Sequence, residues 1–232
     1  MNGTNKVGGL ISQLHQRWCD PAMFVLLVVQ CIAVFGMIPA AASRPLVPAS
    51  VIGVVPLLCA SLVIFTTRTK WTVAIGSVAL GLFGCVIVLA HFQENLLAVV
   101  TQDLLAISAF LLLTATVLVT VFAPGRFTTY RAFGSLIIYL NIGLLFTLIF
   151  RLIVALSVHA FSGLPATNNQ PALRAALEYF SFSALTSVGF GDIVPLTPIA
   201  RGMTILEASI GHIYPATLLA RVVTRVMHAR GE

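Results

Sequence analysis

Seven consecutive residues, Thr186-Ser187-Val188-Gly189-Phe190-Gly191-Asp192, hold the densest chemistry in this chain. A hydroxyl pair leads into two glycines spaced two apart, and an acid closes the run. Glycine visits backbone angles closed to other residues, so successive carbonyls along Val-Gly-Phe-Gly can all turn to one side. Four such strands around an axis stack rings of carbonyl oxygens, and such rings replace the water shell of a dehydrated cation. The chemistry is passive ion coordination, with no catalytic constellation beside it. The bland reading of Gly189 and Gly191 is a tight loop between helices. It leaves Thr186, Ser187, Val188 and Asp192 unexplained.

Irregular backbone of this kind survives at membrane depth only where protein buries it or where it lines a watery path, so the elements around it matter. Of 232 residues, 59% are hydrophobic and only 9% charged, with a mean hydropathy of +1.02. A soluble domain is closer to a quarter charged. Lipid is therefore the main solvent. The net charge of +6 comes without a basic stripe, which argues against nucleic acid. Cys19, Cys31, Cys59 and Cys85 are scattered singly and read as small core residues.

A helix needs about 20 apolar residues to cross the hydrocarbon core. Runs near 22–40, 47–66, 71–92, 104–123, 133–158 and 199–228 meet that length, and 172–185 falls short of it. The expected fold class is an all-α membrane protein: six transmembrane helices plus a re-entrant pore helix and filter loop. The expected division is a leader at 1–21, a four-helix membrane domain at 22–123, a linker at 124–132 and a pore domain at 133–228. Within the last, the outer helix is 133–158, the short helix 172–185, the filter 186–192 and the inner helix 199–228.

With the N-terminus inside, Lys6, Arg17, Arg68, Lys70, Arg126, Arg131, Arg221, Arg225 and Arg230 share one side. Arg44, Arg174, Arg201, Glu94, Asp103 and Asp192 lie on the other, with Arg151 in the outer half of the fifth helix. The positive-inside bias predicts a multi-pass protein of the plasma (cell inner) membrane with both termini cytoplasmic.

The stretch 186–192 resembles the selectivity filter of the potassium-channel superfamily, Thr-x-Val-Gly-Tyr/Phe-Gly-Asp. The likeness extends outward through Asp192-Ile193-Val194-Pro195-Leu196-Thr197 to Arg201, and inward to Gly211, where that family places an inner-helix hinge. It covers residues 133–228. The resemblance implies K+ held by the carbonyls of Ser187, Val188, Gly189 and Phe190, with the Ser187 hydroxyl adding the innermost ligands. It implies that Thr186 closes the short helix and that Asp192 sits behind the outer mouth. It implies K+ ions in the filter and no organic cofactor. One filter per chain implies a homotetramer embedded in membrane lipids.

Phe190 replaces the more usual Tyr, and Tyr179, Phe180 and Ser183 stand where relatives carry tryptophans and a glutamate. A filter without the ring hydroxyl is expected to be less braced. Residues 104–123 contain no Arg or Lys, and steep voltage gating needs several charges per subunit, so a charged-helix sensor is excluded. Gly76, Gly81 and Gly84 are expected to bring neighbouring helices close. Glu207 reads either as a pore-tuning carboxylate or as a glutamate packed on the short helix. Gly211 and Pro215 are gating hinge candidates, and Ser183 a pore-tuning one. His212 and Asn141 read as hydrogen-bonded, and Arg151 as snorkelling or paired with an acid.

The expected function is a potassium-selective channel, not an enzyme, with an unidentified regulatory partner or ligand left to supply the gating stimulus. The alternatives are a nonselective cation channel, a subunit of a potassium transporter, and a non-conducting partner subunit.

Overall fold

The computed structural model describes residues 24–37, 70–89, 96–122, 129–157, 159–166 and 169–230. The second expected span, 47–66, the leader and most of the linker lie outside them. Six helices are described. They are α1 (Phe24–Gly36), α2 (Lys70–Leu89), α3 (Leu96–Phe122), α4 (Thr129–Leu156), α5 (Gln170–Leu185) and α6 (Pro198–Arg230). The end of α1, Ala33–Met37, winds as a π-helix.

Two helical stretches, Leu97–Val119 and Ala132–Leu156, are long and apolar enough to cross a membrane. Six crossings are thus not reached among the described residues. α1 is short, and α6 interrupts its apolar run with Arg201, Thr204, Glu207, Ser209 and His212.

The faces of α3 follow helical geometry. Leu97, Leu104, Leu111 and Leu118, seven apart, are exposed as one stripe, while Ala106, Ala109, Phe110, Leu113 and Val117 are buried. Residues spaced seven apart lie two turns apart on one helix face, so the stripe suits lipid and the other face packs inward. α3 begins eight residues earlier than the apolar run near 104–123 suggested, because Leu96–Val100 extends the run and nothing breaks the helix at Gln102-Asp103. Asp103 is therefore not on an outer loop. It is buried within α3 and paired with Arg151 of α4. Among the described residues a Cβ on Gly81 or Gly84 would meet nothing within 4 Å, so the expected close packing there is not seen.

α4 organises the rest. Leu26 of α1 and Val117 and Val121 of α3 pack with Ile137 and Ile138 of α4, and Gln30 donates to Asn141 Oδ1 at 2.6 Å across the α1–α4 interface. On the far side, Phe150 of α4, Phe161 and Phe180 of α5 meet edge to face, with ring centroids 5.1–5.6 Å apart. That spacing and tilt suit the aromatic quadrupole. Phe161 belongs to a feature the all-α expectation lacked: β1 (Phe161–Ser162) pairs antiparallel with β2 (Val194–Pro195). The ladder ties the chain before α5 to the chain after the heptapeptide.

The Asp103–Arg151 pair gives a stability prediction. Breaking a buried pair from one side costs about 3–5 kcal/mol, whereas removing both charges costs far less. Arg151→Met and Asp103→Asn should each lower the melting temperature of the purified protein sharply. The double variant should recover most of the loss; additive losses would reject the pairing.

Candidate ion-coordinating site

α5 starts at Asn169, whose side chain accepts from the Ala172 N–H at 3.3 Å, with Pro171 in the first turn. Both are helix-start signals, and they set the beginning two residues before the expected 172. The last carbonyls of any helix lack intrahelical partners, and here the heptapeptide supplies donors. Phe182 O accepts from the Thr186 N–H at 3.0 Å, Ala184 O from Ser187 at 2.9 Å, and Ser183 O from Val188 and Gly189 at 2.9 and 3.3 Å. The Thr186 hydroxyl adds a second bond to Phe182 O. The Tyr139 hydroxyl reaches Leu185 O at 3.4 Å. Every one of the four terminal carbonyls has a contact.

The backbone then alternates. Ser187, Gly189 and Gly191 have φ of +58°, +58° and +81°, and Val188 and Phe190 do not have positive φ. Alternation between left- and right-handed conformations gathers N–H groups on one side of the strand and carbonyls on the other. The N–H groups of Val188 and Gly189 face Ser183, whose Oγ also accepts from Gly189 at 3.1 Å. No carbonyl from Ser187 to Gly191 accepts a hydrogen bond among the described residues, and all five residues are exposed. Such a row of free carbonyls has the chemistry to serve as a cation ligand set. Glycine stands at 189 and 191 for its φ and not for space, since a Cβ there would meet nothing within 4 Å.

Phe190 lacks the hydroxyl of its usual counterpart but is not loose. Its ring stacks on Tyr179 of α5, centroids 5.7 Å apart at 17°. The Tyr179 hydroxyl also hydrogen-bonds Asp192. Ser183, Tyr179 and Asp192 thus lie together behind the strand. Bracing comes from stacking and from Ser183.

Behind α5, Ser181 is fully buried with its Oγ 2.7 Å from Gly143 O on α4 and 2.5 Å from Glu207 Oε1 on α6. A hydroxyl has one proton, and the Gly143 carbonyl only accepts. The arrangement closes when the Glu207 carboxyl keeps a proton, donates to Ser181, and Ser181 donates to Gly143. The geometry follows the packed-glutamate alternative for Glu207 and joins three helices at one hydroxyl.

Four residues later in the chain, a Cβ on Gly211 would lie 1.8 Å from Leu185 O. Glycine is needed there so that α6 can rest on the end of α5. α6 runs unbroken through Pro215, which cannot donate to the Gly211 carbonyl one turn earlier. Gly211 and Pro215 thus share one weakened turn. His212 lies beside them, with Nδ1 3.0 Å from Ser187 Oγ. Sequence reading missed three features: the His212–Ser187 contact, the positive φ at Ser187, and the carboxyl of Glu178. The last is buried in α5 with neither oxygen hydrogen-bonded among the described residues. No group of three or more metal-ligating side chains occurs among the described residues.

With this geometry in place, comparison with known proteins is informative. Residues 174–228 match a family model described as "Ion channel". The comparison supports ion-channel function. An 80-residue stretch is 35% identical to Protein LctB of Geobacillus stearothermophilus, covering 34% of this chain and 59% of that protein. The chain therefore spans less than two thirds of the length of this relative. No solved structure matches. The matched segment starts within α5 and carries the heptapeptide and α6, and together with the apolar helices it marks a membrane protein with an ion-channel segment. An ion-channel match points away from enzymatic chemistry.

A stability test rests on these contacts: Glu207→Gln keeps a donor of the same shape and should retain most thermal stability, whereas Glu207→Ala leaves the Ser181 oxygen without its donor and should cost about 1–3 kcal/mol. Equal melting temperatures for the two would reject the protonated link.

Proposed function

We propose that this chain is one subunit of a potassium-selective channel, four copies of which surround a passive ion path. The observation that carries the reading is the alternating backbone from Ser187 to Gly191, with N–H groups held by Ser183 and carbonyls free. In this reading the carbonyls of Ser187, Val188, Gly189 and Phe190 line the filter, and the Ser187 hydroxyl supplies the innermost ligands. K+ is the cargo. It sheds its water into successive oxygen rings, and an ion that binds such rings poorly is left hydrated and excluded.

A single chain supplies one wall of such a path. Over 198–220 of α6 the buried residues that face its own chain are Ala200, Glu207 and Gly211, while Ile199, Ile205, Leu206, Ile213 and Leu219 are exposed. Apolar side chains beside an open row of carbonyls suit contact with further copies, and a closed cyclic tetramer uses each copy once. The re-entrant role of α5 follows from its 16 residues, too few to cross the bilayer. In this reading the protein is a multi-pass plasma-membrane protein with both termini cytoplasmic, a topology that the positive-inside bias supports. α3 carries no cation, so opening is driven by something other than a charged sensor helix.

The test is ion flux from purified protein in liposomes under potassium and then sodium gradients, with and without barium. Barium-sensitive potassium flux with little sodium flux is the expected result; equal fluxes would establish a nonselective cation path instead. Gly189→Ala places a side chain at φ +58°, a strain of about 1–2 kcal/mol in each copy. It should abolish potassium flux while leaving the helical content intact, and normal selective flux in this variant would overturn the carbonyl-lined filter.

A further inference from the structure

Nine hydroxyl groups among the described residues share one habit, and Ser187 departs from it. Thr101, Ser108, Thr114, Thr116, Thr147, Thr186, Thr204, Ser209 and Thr217 each donate to a carbonyl three or four residues earlier. Ser187 cannot do so, because its φ of +58° turns it out of the helical path that would bring such a carbonyl within reach. Its Oγ instead lies 3.0 Å from His212 Nδ1, twenty-five residues later on α6.

Serine has a second reason to need an outside partner. A β-branched side chain is stiff about χ1, whereas serine samples three staggered rotamers. A hydroxyl that is to serve as an ion ligand must hold one of them.

We propose that His212 is a positioning residue for the innermost ion ligand, fixing the Ser187 hydroxyl so that its free oxygen lone pair faces the ion path. The inference rests on the channel reading above. His212 is itself held in place. Its Nδ1 is also 3.3 Å from Ala208 O one turn earlier. The neighbouring Gly211 seats α6 against the Leu185 carbonyl, where a Cβ would come within 1.8 Å. α6 can approach the start of the filter strand closely because of that glycine, and the next residue delivers the imidazole. The other polar side chains nearby are engaged elsewhere: Glu207 with Ser181, Tyr214 with Ser135 O, and Tyr139 with Leu185 O. A hydroxyl tied on one side to an imidazole nitrogen keeps a lone pair on its other side.

The probe is barium, a divalent ion that oxygen ligands hold more tightly than a monovalent one. Added from the cytoplasmic side of protein in planar bilayers, it meets the innermost ligand first. His212→Ala should weaken internal barium block by about tenfold, the loss of roughly one oriented hydrogen bond, with potassium conduction retained. An asparagine amide occupies the place of Nδ1, so His212→Asn should restore block to within about threefold, whereas His212→Gln, which reaches past it, should not.

Potassium conduction with unchanged barium block in His212→Ala would overturn this inference and leave the channel reading standing. Weakened block that His212→Asn does not recover would show a general packing role and also overturn it. Absence of potassium flux from the wild type would overturn the channel reading, and the inference with it.

Discussion

The last four carbonyls of a helix find no partners within it. In this protein α5 satisfies them with the strand that follows it. Thr186, Ser187, Val188 and Gly189 turn their N–H groups back onto Phe182, Ala184 and Ser183. Once those donors are committed, the carbonyls of the same peptides have to face away. The open row of oxygens is thus a by-product of capping. The alternating φ values at Ser187, Gly189 and Gly191 are the backbone conformation that makes it geometrically feasible.

The remaining contacts keep the end of α5 still. Gly211 lets the backbone of α6 lie against Leu185 O, and Tyr139 approaches the same carbonyl from α4. Ser181 joins α4, α5 and α6 through Gly143 and Glu207. On the outer side, the Phe150–Phe161–Phe180 trio and the β1–β2 ladder fasten the chain on both flanks of the heptapeptide. Tyr179 and Ser183 brace the strand by stacking and by hydrogen bonding, two functions that a single tyrosine hydroxyl does not supply.

Much of this is written locally in the sequence. The glycines at 189 and 191 announce positive φ, the apolar runs announce α3 and α4, and the short length of α5 announces that it does not cross. Arg151 in an apolar helix read as snorkelling or as paired with an acid, and Asp103 is its acid; the run length misled about where α3 begins and so about where Asp103 lies. Other features depend on tertiary distance and leave no periodic trace. Strands of two residues have no alternation to read, so β1 and β2 were invisible. Positive φ at a serine carries no composition signal. The contact of His212 with Ser187 joins residues on different elements. Gly211 was legible as special, and its seat on Leu185 O adds a packing reason to the hinge suggested by its place in the helix. Glu207 was legible as costly, and only its partners distinguish a neutral hydrogen-bonded acid from a tuning charge.

The burial of Ser181 and Glu207, each with no exposed surface, has a consequence for time as well as for energy. Their protons can trade with solvent only when α6 lifts from α5, because buried hydrogen bonds exchange through local opening. The rate at which deuterium enters this link therefore counts the excursions of the inner helix in a resting protein. The fold carries, behind its strand of open carbonyls, a built-in clock for the motion of the helix that supports it.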